Sequence, residues 1–161
     1  MSPEQKVRAL SVTAPDERSI VVTREFAAPP DRLWRAHTEP ELLKKWLGRR
    51  AYPMTTCEVD LRVGGRYRYV FTKLDGSKPM GMGGVFDVIE RPTRLVTTEA
   101  FDDFPGPSVN TIRFEEIDGG TAMTLTVVYP SEEIRDGWLA SGMTDGMGEG
   151  YDRLDGLLLD D

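Results

Sequence analysis

Histidine and cysteine occur once each, as His37 and Cys57. A lone cysteine excludes an internal disulfide and fits a reducing compartment. A lone histidine excludes a two-histidine metal site, and zinc chemistry is left without a ligand set. No metal and no cofactor is therefore expected. No apolar run approaches the ~18 residues of a membrane span, and Met1–Arg18 lacks the apolar core of a secretory leader. Membrane insertion is not expected, and a cytoplasmic location is the default. Basic residues are the minority, 20 against 27 acidic ones, for a net charge of −7. That argues against nucleic acid, which calls for a basic face; an acidic surface serves solubility. The 161 residues fit one domain with a sizeable core, and internal repeats, linkers and low-complexity tracts are absent.

The chain is organised around its last stretch, Ser141 to Leu159. Met143, Met147, Tyr151, Leu154 and Leu158 recur at helical spacing on one face. Asp145, Glu149, Asp152, Arg153 and Asp155 fall off that stripe. Gly142, Gly146, Gly148, Gly150 and Gly156 interrupt it, each costing about 1 kcal/mol in a helix interior. Such a helix needs strong tertiary packing, and its flexible methionines suit a pocket wall.

Upstream, residues 1–18 read as a loose arm or an extra edge strand, and residues 19–161 as the domain. Ser19–Phe26 alternates as a strand. Pro29-Pro30-Asp31 opens a short helix bearing Leu33, Trp34 and His37. Thr38-Glu-Pro-Glu41 has the form of a capping box for a second, which Gly48 ends. From Met54 the period is two, giving a run of six strands up to Tyr129. Ser131 opens a further short helix before the closing one. The class is α+β: an antiparallel meander whose apolar face only the C-terminal helix and the two short ones can cover. Alternation turns Tyr67, Tyr69, Phe71, Leu95, Thr97, Phe101, Ile112, Phe114, Met123, Leu125 and Val127 toward that helix. Glu99 and Asn110 share their parity, two polar residues facing inward.

Six stretches in this order carry a resemblance: Ala28-Pro-Pro-Asp-Arg-Leu-Trp-Arg-Ala-His-Thr38, Glu41-Leu-Leu-Lys-Lys-Trp46, Val63-Gly-Gly-Arg-Tyr67, Glu90-Arg-Pro-Thr-Arg-Leu-Val96, Gly119-Gly-Thr-Ala-Met-Thr-Leu125, and Ser141 to Met147 with Tyr151-Asp-Arg-Leu154. From about Ile20 to Leu159 the chain resembles the bacterial single-domain relatives of the activator of Hsp90 ATPase, within the START-like (Bet v 1, polyketide cyclase) superfamily. The resemblance implies a helix-grip fold, with a curved sheet of about six to seven strands around the C-terminal helix. It also implies a cavity between the two for apolar or aromatic small molecules. Glu99 stands where the family commonly has an aromatic.

The candidate lining is Trp46, Tyr67, Tyr69, Met82, Phe86, Glu99, Phe101, Asn110, Met143, Met147 and Tyr151, with core packing as the plain alternative. A carboxylate facing such a cavity has its pKa raised by desolvation unless a cation or donor pairs with it. His37 reads as a helix-terminal histidine bonded to backbone, or as a pocket-rim acid/base. Cys57 reads as a buried structural thiol. Gly81-Met-Gly-Gly84 precedes a strand, not a helix, so it is a place of close backbone approach and not a phosphate loop. Ser131 and Ser141 are caps, and Asp102-Asp103 and Asp160-Asp161 are solvated ends.

No catalytic constellation stands out. The first functional reading is a protein that binds a hydrophobic or aromatic guest (lipid, polyketide or flavonoid-like) without turnover. The second is a cyclase or hydrolase using Glu99 as acid/base. The third is a chaperone ATPase activator, the least favoured, because that activator's N-terminal domain has no room here. Homodimerisation is left open.

Overall fold

A computed structural model describes residues 10–104 and 106–159. Residues 1–9 of the expected arm, and the Asp160-Asp161 pair, lie outside the described residues. Alternating β-branched residues form β2 (Ser19–Phe26), with Ile20, Val22, Arg24 and Phe26 all on its buried face. The short β1 (Ser11–Thr13) pairs along its edge. Pro30 and Pro40 occupy the first turns of α1 (Pro30–Thr38) and α2 (Pro40–Trp46), where proline's missing N–H costs nothing. The capping box does not form. The Thr38 hydroxyl donates 2.8 Å back to the Trp34 carbonyl within α1, and Glu39 leads into α2 with no side-chain cap.

After the two-residue β3 (Gly48–Arg49) come β4 (Tyr52–Val59), β5 (Arg66–Phe71), β6 (Met80–Glu90), β7 (Arg94–Phe101), β8 (Ser108–Ile117) and β9 (Gly120–Val128). They join one antiparallel sheet in the order β1-β2-β9-β8-β7-β6-β5-β4-β3. The chain's first long strand thus pairs with its last, Ile20 opposite Val127. Among the described residues the sheet has nine strands: the six to seven expected, β1 as the extra edge strand that residues 1–18 allowed, and β3, too short to leave a periodic signal. Two helices end the chain, α3 (Glu132–Ala140) and α4 (Met143–Leu159). Ser131 caps α3 by accepting from the Ile134 N–H at 3.2 Å.

Alternation places the core as expected, with Tyr67, Tyr69, Phe71, Leu95, Ile112, Phe114, Met123 and Val127 buried and Phe101 and Leu125 half-buried. A register shift between Met54 and Thr56 alters the parity of β4. Cys57 comes to lie opposite Tyr69 near the sheet's edge, half-buried and not enclosed as its sequence context implied. Asp102 is no free end: Arg68 donates to its carboxylate at 2.7 Å.

α4 packs Tyr151, Leu154 and Leu158 inward, and polar bonds hold it along its length. Arg24, in the core-facing row of β2, lies 2.9 Å from Asp152 and 3.6 Å from Asp155. Arg32 donates to the Leu158 carbonyl at 2.8 Å, and Arg153 to the Gly48 carbonyl. At Gly150 a Cβ would stand 3.2 Å from the Trp46 carbonyl oxygen, so glycine eases the close approach of the helix to α2.

The Arg24 guanidinium is buried, whereas Asp152 is 76% exposed. Arg24→Ala deletes a buried guanidinium that faces Asp152 and Asp155 and lies over the Phe26 ring, so it is expected to cost about 3 kcal/mol in urea unfolding. Asp152→Asn should cost under about 1 kcal/mol; a loss that small for Arg24→Ala would show that the buried guanidinium does not anchor α4.

Candidate functional site

The aromatic residues of α2, β5 and α4 converge beneath the last helix. Trp46 is fixed by its indole N–H, which donates 2.8 Å to the Ala36 carbonyl. Its ring stacks on Tyr151 at 5.5 Å and 24°, and lies 4.9 Å from the His37 imidazole. Tyr67 and Tyr69, two apart on β5, touch at 4.9 Å, and Phe86 packs on Tyr67 at 5.2 Å.

These side chains do not fill the interior. A partly open, mainly apolar cavity of about 200 Å³ remains between sheet and α4. Of the residues expected at a pocket, Trp46, Tyr67, Tyr69, Phe86, Asn110, Met147 and Tyr151 line it. Met82, Glu99, Phe101 and Met143 do not, each for a local reason. Met82 lies in a cross-strand row between Tyr69 and Phe101 and is spent on core packing. Phe101 packs on Trp138 of α3 at 4.7 Å, a partner with no periodic signal in the sequence. Met143 takes the Tyr129 hydroxyl on its sulfur at 3.7 Å.

Glu99 stands behind the wall. The Tyr67 hydroxyl donates to its carboxylate at 2.7 Å, and Asn110 bonds it from β8. Asn110 in turn accepts from the Ser108 hydroxyl at 2.9 Å. A Cβ at Gly84 would strike the Tyr67 hydroxyl at 2.8 Å, so this glycine makes room for the phenol that reaches Glu99. Gly83 and Gly84 also leave Glu99 beside a shallow polar depression with Arg66 and Arg68, which accounts for its partial exposure. Burial raises its pKa, against the lowering by the Tyr67 and Asn110 bonds. Burial, with the Glu99 charge second, pushes the Tyr67 phenol well above its ordinary value.

Sequence reasoning expected the β-strand positions Leu95, Thr97, Ile112 and Leu125 to face inward, and they line the cavity. It assigned no pocket role to Leu43, Leu47, Gly48, Gly146 or Gly150, which complete the wall. The glycine interruptions of the helical stripe were the available signal for the last two. His37 also lines the cavity. Its Nδ1 lies 2.7 Å from the Leu33 carbonyl, the backbone bond expected of it. The Trp46 and Phe114 rings lie against it, tilted, at 4.9 and 5.0 Å. Burial depresses its pKa to about 4, despite the raising effect of the Leu33 bond. Among the described residues no three His, Cys, Asp or Glu side chains group as metal ligands, and no helix is long and apolar enough to cross a membrane.

A curved antiparallel sheet closed by a C-terminal helix over an apolar cavity defines the helix-grip class. Within that class the chain belongs to the family described as activator of Hsp90 ATPase homolog 1-like proteins, whose model matches residues 27–158. A protein from Rhodobacter sphaeroides of known structure is 34% identical, with 94% of this chain and 99% of that one covered and a TM-score of 0.90. One from Mycobacterium smegmatis is 30% identical, covering 93% and 97% at a TM-score of 0.82. A third, from Nitrosomonas europaea, is 28% identical, covering 91% and 97% at 0.81. No curated protein matches the chain.

His37 and Glu99 give opposite pH signatures. His37 is depressed from 6.5 to about 4, so its contribution is full above pH 6.5 and is lost as pH falls toward 4. At roughly 1.4 kcal/mol per pH unit this reaches about 3 kcal/mol. His37→Phe should flatten that part of the stability profile, and an unchanged slope would contradict the assignment. Glu99 is raised above 4.5, so its contribution is present below pH 4.5 and is lost as pH rises through the raised value. Glu99→Gln should therefore raise the unfolding midpoint relative to wild type at pH 8 but not at pH 4.5. A loss at pH 8 would mean that the charged carboxylate is structurally required.

Proposed function

We propose that the protein binds a small apolar or aromatic molecule in the cavity between sheet and α4, without turnover. The observation carrying this reading is the cavity itself, about 200 Å³ walled by Trp46, Tyr69, Ile112, Leu125, Met147 and Tyr151. An apolar cavity of roughly 150 Å³ takes up benzene. The volume here suits a guest of one or two rings; a lipid chain or a three-ring flavonoid would protrude through the open side. Met147 supplies a side chain that adapts to guests of different outline.

An acid–base enzyme is less well supported. Glu99 lies outside the cavity wall, and its carboxylate already accepts from Tyr67. A proton moving between Glu99 and a bound guest would have to pass through a phenol whose pKa burial has raised. Chaperone activation is supported by the family's description alone, with no feature of the cavity adding to it.

Naphthalene, titrated against the labelled protein and followed by NMR, tests the proposal. Wild type is expected to show saturable shifts at residues facing the cavity. Leu125→Phe, which adds volume to the wall, should weaken binding at least tenfold while the protein stays folded. Shifts scattered over the surface, or binding untouched by Leu125→Phe, would overturn the reading.

A further inference from the structure

Most polar groups on the cavity wall are occupied. Tyr67 donates to Glu99, Asn110 bonds Ser108 and Glu99, and Thr97 bonds Tyr67. The Trp46 indole N–H is committed to the Ala36 carbonyl. His37 Nδ1 is tied to the Leu33 carbonyl, and its Nε2 is sealed among its neighbours, so neither nitrogen is open to a guest. Two wall residues differ. The Tyr69 and Tyr151 hydroxyls have no hydrogen-bond partner among the described residues, and neither oxygen is sealed as His37 Nε2 is.

The two phenols stand on opposite walls. Tyr69 belongs to the sheet, in the cross-strand row Cys57, Tyr69, Met82, Phe101, whose other side chains carry no oxygen to accept from it. Tyr151 belongs to α4, stacked on Trp46 at 5.5 Å and edge-on to Phe26 at 5.8 Å. Their exposures are only 8% and 5%, and both line the cavity, so the cavity is where a partner for either hydroxyl has to come from.

A buried hydroxyl left without a partner costs free energy that a suitable group recovers. A phenol O–H is a good donor, while its oxygen, conjugated with the ring, is a poor acceptor. Burial raises both phenols above their ordinary value, so both keep the proton at neutral pH. The walls therefore ask for an acceptor. A carbonyl oxygen has two lone pairs and no charge. A carboxylate would enter without a counter-charge, because no Lys or Arg is among the described residues of the wall.

We infer that the guest is a neutral aromatic carbonyl compound of one or two rings, an aryl ketone or aldehyde, whose carbonyl oxygen accepts from the Tyr69 hydroxyl on the sheet side and the Tyr151 hydroxyl on the helix side. The inference rests on the proposed cavity function and narrows its ligand class. Tyr69 and Tyr151 are here specificity-determining residues: they favour the carbonyl compound over a hydrocarbon of the same outline and fix which end of the guest lies between them.

The test compares acetophenone with α-methylstyrene, in which a CH₂ group replaces the carbonyl oxygen. The ketone gives up more hydration on entry, so the diagnostic quantity is how the ratio of the two affinities changes between wild type and the Tyr69→Phe/Tyr151→Phe double variant. By NMR titration at pH 7 the preference for the ketone should fall about tenfold or more in the variant, the factor expected of losing one or two hydrogen bonds of ordinary net strength. α-Methylstyrene should bind both proteins. A measurement on wild type covers the case in which the variant fails to fold: by infrared spectroscopy, carbonyl-¹³C acetophenone should show a C=O stretch below its value in hydrocarbon solvent when bound. An unchanged ratio, or a bound stretch at the hydrocarbon value, would overturn the inference and leave the cavity reading intact. Binding of neither compound would overturn both.

Discussion

The position of α4 relative to the sheet decides everything else about the interior. Its backbone comes closest to α2 and β3, not to the central strands. Gly150 against the Trp46 carbonyl sets that approach, and Arg153 on Gly48 secures it. Arg24 and Arg32 tie the same helix to β2 and α1. The helix is thus held by polar bonds on its flanks and by Tyr151, Leu154 and Leu158 beneath it. Gly146 and Met147 line the space left between helix and strands. Protein interiors normally close such gaps.

The charges follow a consistent division. Among the described residues the ion pairs lie outside the cavity wall, as with Arg49 and Glu149 at 3.5 Å beside α4 and Arg68 and Asp102 at the sheet. Beside the cavity the titratable groups, His37 and Glu99, both have pKa values displaced toward their neutral forms. An interior of that kind disfavours ions, since an ion entering it would lose hydration with no counter-charge to replace it.

Much of this could be read from the amino acids. Period-two alternation located the inward rows of β5, β7, β8 and β9, and the helical stripe from Met143 to Leu158 located α4. The sequence pattern also marked Trp46, Tyr67, Tyr69, Phe86, Asn110, Met147 and Tyr151, which converge at the cavity. What alternation cannot supply is depth along a strand. Thr97 and Glu99 have the same parity, but one lines the cavity and the other stands behind Tyr67. Phe101 and Met143 were drawn away by Trp138 and Tyr129 of distant segments, contacts that depend on where α3 docks. The capping box at Thr38 failed because a nearer carbonyl competed for the hydroxyl. The β4 bulge shifted Cys57 by a register that no residue type announces.

The most direct test is a crystal structure of the protein soaked with 2-bromonaphthalene, in which the bromine's anomalous signal locates the guest independently of side-chain density. The account predicts one strong peak between Trp46, Tyr69, Leu125 and Met147, with α4 undisplaced. A cavity closed by the Trp46 or Met147 side chain, with bromine only on the outer surface, would contradict it.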